Sequence, residues 1–108
     1  MTQPKLAEER RTAKRISFRT EIEWVGPDMP VLKTRTQNLS AGGTFIEAIT
    51  NLPVGTVLQL KFYAGGQTVR VTGKVCYRLP QRGIGVRFLD LSPEQHSAIE
   101  GLIQERSK

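Results

Sequence analysis

The chain has 108 residues, of which 38% are hydrophobic and 24% charged, and a formal net charge of +6. That is the length of one globular domain with a modest core, and no apolar run approaches the ~20 residues of a membrane-spanning helix. The opening MTQPKLAEERR lacks the apolar stretch of a secretory leader, and the single Cys76 excludes an internal disulfide, so the expected compartment is the reducing cytoplasm.

The charge is unevenly placed. Residues 1–19 hold six cations against Glu8 and Glu9, for a local charge of +4, and the remaining chain is nearly balanced at +2. A concentrated basic arm suits contact with phosphate or nucleic acid, although a solvated tail has the same composition. Residues 1–9 read as a flexible lead-in, and 10–15 as the arginine arm of a domain spanning 10–104.

From Ile16 the pattern has period two, with Ile16, Phe18, Thr20, Ile22 and Trp24 on one face, which predicts a half-buried strand. Gly26-Pro27-Asp28-Met29-Pro30 predicts a turn. Alternation resumes over 31–37 and runs into Asn38-Leu39-Ser40-Ala41-Gly42-Gly43, which reads as a tight turn. Residues 44–48 and 57–63 predict two more strands, the second with Leu58, Leu60 and Phe62 on one side. Gly65-Gly66 predicts a hairpin turn. The long strand 68–79 is expected to point Val69, Val71, Val75 and Tyr77 inward, with a bulge or a close backbone approach at Gly73. After a turn at 80–83, Ile84, Val86 and Phe88 form the inner face of the last strand. Ser92-Pro93-Glu94-Gln95 then carries a helix cap, a proline at the first helical position and a capping-box glutamine. Behind it, Ile99, Leu102 and Ile103 make a helical apolar stripe. About six short strands with tight turns predict an all-β, six-stranded antiparallel barrel over 16–89, followed by a C-terminal helix over 92–104.

The candidate site joins the arm to the glycine-ended turn. Arginine's planar fork matches a phosphate and equally the O6/N7 edge of guanine, and Arg11 and Arg15 are spaced so that a bent arm aims both at one ligand, with Arg10 in reserve. Asn38 offers a carboxamide that both donates and accepts, and Ser40 a hydroxyl. Gly42 and Gly43 permit close approach and positive φ. An ordinary turn has the same residues, because Asn and Ser bond their own backbone. The conjunction of turn and arm is what points to a ligand.

Together these residues resemble the PilZ domain family, bacterial receptors for the second messenger cyclic di-GMP. Arg11-Thr12-Ala13-Lys14-Arg15 matches the family's Arg-x-x-x-Arg before the first strand. Asn38, Ser40 and Gly43 match its Asp/Asn-x-Ser-x-x-Gly, and Gly83-Ile84-Gly85-Val86-Arg87-Phe88 looks like its last barrel strand. Ser17 stands where the family often has proline. The resemblance implies a PilZ-type barrel with cyclic di-GMP held on its outer surface by Arg10, Arg11, Arg15, Asn38, Ser40, Gly42 and Gly43. It further implies an arm that orders on binding and a response passed to an effector protein that the sequence does not identify.

No enzyme signature is present. His96 and Cys76 lack the spacing of a metal site or a nucleophile, and no catalytic residue, metal or cofactor is expected beyond the nucleotide ligand. Two alternatives come from other classes: a nucleic-acid-binding basic barrel, and a PilZ-like adaptor acting through protein contacts without ligand. Against nucleic acid, only seven aromatics occur, Phe18, Trp24 and Phe88 fall on inward faces, and no stacking platform of spaced aromatics is evident.

Overall fold

The computed structural model describes residues 15–64 and 66–107. The proposed lead-in and the arm as far as Lys14, including Arg10 and Arg11, lie outside them. Within them run seven strands and a helix: β1 (Ile16–Ser17), β2 (Glu21–Val25), β3 (Leu32–Ser40), β4 (Gly43–Glu47), β5 (Val57–Ala64), β6 (Gln67–Leu79), β7 (Gly83–Leu89) and α1 (Pro93–Ser107).

The predicted first strand is broken in the middle. β1 pairs Ile16 with Leu39 and Ser17 with Asn38, and β2 pairs Glu21 with Arg35, so both lie in line along β3 and act as one wall member. Across the break, the buried Thr36 hydroxyl donates to the Phe18 carbonyl at 2.7 Å and accepts from the Thr20 N–H at 3.3 Å. A buried backbone group without a partner costs free energy comparable to a lost hydrogen bond, and Thr36 supplies partners where the ladder lapses. The order β3-β2-β5-β6-β7-β4 returns to its start through β3–β4 pairing, with every pair antiparallel. The barrel is closed and six-stranded, which removes the exposed edges that invite aggregation.

The alternating apolar residues fill its interior: Phe18, Ile22, Trp24, Leu58, Leu60, Phe62, Val69, Val71, Val75, Ile84, Val86 and Phe88 are all buried in one cluster. Gly73 makes the expected close approach, since a Cβ there would lie 2.4 Å from Val86 Cγ1. The bulge falls further along, between Val75 and Tyr77, and it corrects one expectation. One extra residue moves every following side chain to the other face. Tyr77 therefore points outward and is 45% exposed, with its ring against Gly85.

The helix begins as its capping signature requires. The Ser92 N–H donates to Gln95 Oε1 at 2.7 Å and the Gln95 N–H to Ser92 Oγ at 3.1 Å, the reciprocal pair of a capping box. Gln95 Nε2 also donates to the Arg70 carbonyl at 2.7 Å, tying the helix start to β6. Ile99, Leu102 and Ile103 are buried in the barrel core, so α1 closes one end against β1, β3 and β6. Ser92→Ala is expected to cost about 1 kcal/mol, lowering the melting temperature by roughly 4–8 °C. A thermal melt by circular dichroism checks this, and an unchanged midpoint would show that the cap contributes nothing.

Candidate functional site

Asn38 lies in a strand, contrary to the expected turn: β3 continues to Ser40, and only Ala41 and Gly42 turn. Its outward aim depends on a second bulge. Thr36 is 1% exposed and faces the core, so unbroken alternation would carry Asn38 inward as well. The register shifts between Thr36 and Asn38. That sends Leu39 into the core instead and turns the Asn38 carboxamide outward, where it accepts a hydrogen bond from the Arg15 guanidinium. The last residue of the arm and the first of the glycine motif are thus joined directly. β1 makes this possible by pairing Ser17 with Asn38.

Ser40 is only 3% exposed. Its hydroxyl accepts from the Gly42 N–H at 3.2 Å and donates to the Gly43 carbonyl at 3.4 Å, so it shapes its own turn, as serine commonly does. Gly42 is exposed. Neither Gly42 nor Gly43 has a positive φ, and the need for glycine at 43 is steric. A Cβ at Gly43 would lie 2.2 Å from the Val86 carbonyl oxygen of β7.

The outer face beside Asn38 carries features that alternation does not reveal. Phe45 is the β4 partner of Asn38, Gly85 of β7 is the partner of Phe45, and Tyr77 of β6 is the partner of Gly85. The Phe45 and Tyr77 rings stack with centroids 6.1 Å apart. Phe45 packs over Gly83 as Tyr77 does over Gly85, and a Cβ at either glycine would clash with the ring above it. Reading the glycines of 83–85 as seats for rings on neighbouring strands would have found this pair. Beyond Asn38, Glu47 holds the Arg19 guanidinium at 3.1 Å and accepts from Gln37 Nε2 at 3.1 Å. On the β2–β5 side, Glu23 meets Lys61 at 3.3 Å and accepts from the Tyr63 hydroxyl at 3.2 Å. Partial desolvation acts to raise the Glu23 carboxyl, but the hydrogen bonds from Lys61 and Tyr63 and the charges of Lys61 and Lys33 outweigh it and hold the group below its usual range.

His96 lies exposed on α1 with Nε2 3.7 Å from Glu100, and Cys76 is an exposed strand residue whose thiol donates to the Gly85 carbonyl. Among the described residues, no three His, Cys, Asp or Glu side chains converge as a metal would require. Nor is any helix there long and apolar enough to cross a membrane.

A closed antiparallel barrel, a C-terminal helix packed into it and an arginine–asparagine contact on the outer wall define a small barrel domain with its candidate site on the outside. The profile of the PilZ domain matches residues 9–105, and the chain belongs to the PilZ domain family, a cyclic di-GMP receptor family of regulatory binding domains. Solved structures share the fold. The PilZ domain of CeSA from a cellulose-synthesizing bacterium superposes with a TM-score of 0.71 at 18% identity, covering 87% of this chain and 98% of that one. The PilZ domain of YcgR from Escherichia coli, solved with c-di-GMP, gives 0.71 at 19% identity, covering 89% and 90%. The Bacillus subtilis inhibitor of motility MotI/DgrA gives 0.72 at 14% identity, with 86% of this chain matching 49% of that one. No curated protein matches.

Proposed function

We propose that this protein is a cyclic di-GMP receptor that orders its N-terminal arginine arm on binding and passes the signal to a partner protein. The observation that carries the reading is the bond from Arg15 to Asn38. It brings the two halves of the family's ligand motif together on an exposed outer face. In this reading Arg15 and Asn38 recognise a guanine edge, and Arg10 and Arg11 engage phosphate and the second base. Ser40 holds the turn, which presents Gly42 and Gly43 to the ligand. Like charges in the arm repel without a ligand, and two phosphates neutralise them, so binding and ordering are coupled. Charge-assisted hydrogen bonds of about 1.5–3 kcal/mol each offset the entropy of ordering a short arm. The proposed domain limits, 10–104 with the arm at 10–15, follow from the same reading, as does a cytoplasmic location, where the second messenger is made available.

Calorimetric titration of cyclic di-GMP into the wild-type protein and Arg15→Ala tests this, with a short single-stranded DNA as control. Saturable binding is expected in the wild type and at least a tenfold loss in Arg15→Ala, since about 1.4 kcal/mol corresponds to a factor of ten. The absence of heat with the dinucleotide overturns the proposal, and salt-sensitive DNA binding in its place would establish a nucleic-acid barrel.

A further inference from the structure

From Ala48 to Leu89 the sequence contains six lysines and arginines and no aspartate or glutamate. The fold lays this stretch out mainly as β5, β6 and β7, three adjacent members of the barrel. The acidic residues of the strands, Glu21, Glu23 and Glu47, stand on β2 and β4. The other acidic residues of the body lie off the strands: Asp28 in the turn after β2, Asp90 after β7, and Glu94, Glu100 and Glu105 on α1. Lys61 reaches Glu23. Among the described residues, Arg70, Lys74, Arg78, Arg82 and Arg87 have no ion-pair partner.

At the centre of this wall Lys74 of β6 and Arg87 of β7 are direct cross-strand partners, both exposed on the same outer face. Like charges placed opposite one another destabilise a sheet, and no described carboxylate bonds to either. The two cations line a groove together with Val54 and the half-buried Leu89. Val54 is 60% exposed, and Val57, the β5 partner of Lys74, is 43% exposed. Two adjacent unpaired cations beside an aliphatic rim form a surface with a defined complement.

We infer that this wall is the docking surface for an acidic segment of a partner protein, with Lys74 and Arg87 taking carboxylates and the valine–leucine rim taking an aliphatic side chain beside them. Arginine grips a carboxylate through two parallel hydrogen bonds, and its enrichment beside apolar residues is characteristic of protein interfaces. Nucleic acid is the poorer complement. Single strands are held by aromatic side chains on which bases stack, and the groove lining is aliphatic. Arg87 is also the cross-strand partner of Gly43, so a segment docked here lies one strand from the proposed ligand site. The surface does not depend on ligand binding: a chain that failed to bind the dinucleotide would still carry it.

The test is a nuclear magnetic resonance titration of the isotopically labelled protein without dinucleotide. The probe is the synthetic peptide acetyl-Glu-Leu-Glu-Glu-Leu-Glu-amide, compared with its glutamine counterpart and with a twelve-nucleotide oligothymidine. The expected result is saturable shifts confined to residues 54–57, 72–76 and 86–89 with the acidic peptide and none with the glutamine peptide. The double variant Lys74→Glu/Arg87→Glu is expected to weaken binding at least tenfold with its spectrum otherwise folded. Both positions are exposed strand sites, and the single reversals serve if the double variant fails to fold. Shifts elsewhere, equal binding by the reversed variants, no shifts at millimolar peptide, or tighter binding of the oligothymidine at the same residues each overturn the inference.

Discussion

Gly43→Ala is expected to destabilise the barrel by about 3 kcal/mol, the upper end of the usual overpacking range, and to lower its melting temperature by more than about 10 °C. The added Cβ would meet the Val86 carbonyl oxygen at 2.2 Å and the Arg87 Cα at 3.3 Å. Both are backbone atoms of β7 in a closed ladder, where Gly43 pairs with Arg87. Relief requires β4 and β7 to part, which disturbs the turn carrying Ser40 and, through it, the position of Asn38. The control is its neighbour. A Cβ at Gly42 would find only Ser40 Oγ, 4.0 Å away, and Gly42→Ala is expected to stay within about 0.5 kcal/mol of wild type. Thermal melts of the two variants decide the matter, and equal midpoints would refute the steric account of Gly43. The family motif's glycine is thus explained by strand packing before any ligand is considered.

Trp24→Ala is expected to cost about 3–5 kcal/mol, a large part of the ~5–15 kcal/mol by which a domain is normally stable. Trp24 is 1% exposed within the core cluster, and its indole N–H donates to Thr34 Oγ1 at 3.1 Å. Truncation leaves both a cavity and a hydroxyl without its donor. Trp24→Phe keeps most of the apolar contact but loses the hydrogen bond and part of the ring volume, so a cost of about 1–3 kcal/mol is expected. Urea denaturation followed by circular dichroism reads both values, and a Trp24→Ala midpoint close to wild type would show that the core tolerates the cavity. Trp24 lies on β2, away from the Arg15–Asn38 contact, so the folded Trp24→Phe variant should retain whatever binding the wild type shows.

Several features were legible because they are local. The two-residue period of Ile16–Trp24 and Val69–Val75 set which side chains enter the core, since successive strand residues face opposite sides. The capping box at Ser92–Gln95 closes within one turn and was readable for the same reason, as was the apolar stripe of α1. The arginine and glycine motifs were visible as spacings, and the structure joins one described residue of each, Arg15 and Asn38.

Other features depend on partners distant in sequence. The bulges at Gln37 and Cys76 are register events between strands. Nothing in the residues nearby announces them, yet each reverses the faces that follow, sending Asn38 out in one case and Tyr77 out in the other. The Ser40 hydroxyl was readable as a ligand donor or as part of a turn, and only the positions of Gly42 and Gly43 show it engaged in the turn. Local sequence determined that the body of the chain is nearly neutral and built of alternating strands. Which side of the barrel is cationic was decided by strand order, because that order sets β5, β6 and β7 side by side and leaves the three acidic residues of the strands on β2 and β4. Charge adds along a sequence without regard to direction, whereas a surface potential depends on which strands are neighbours.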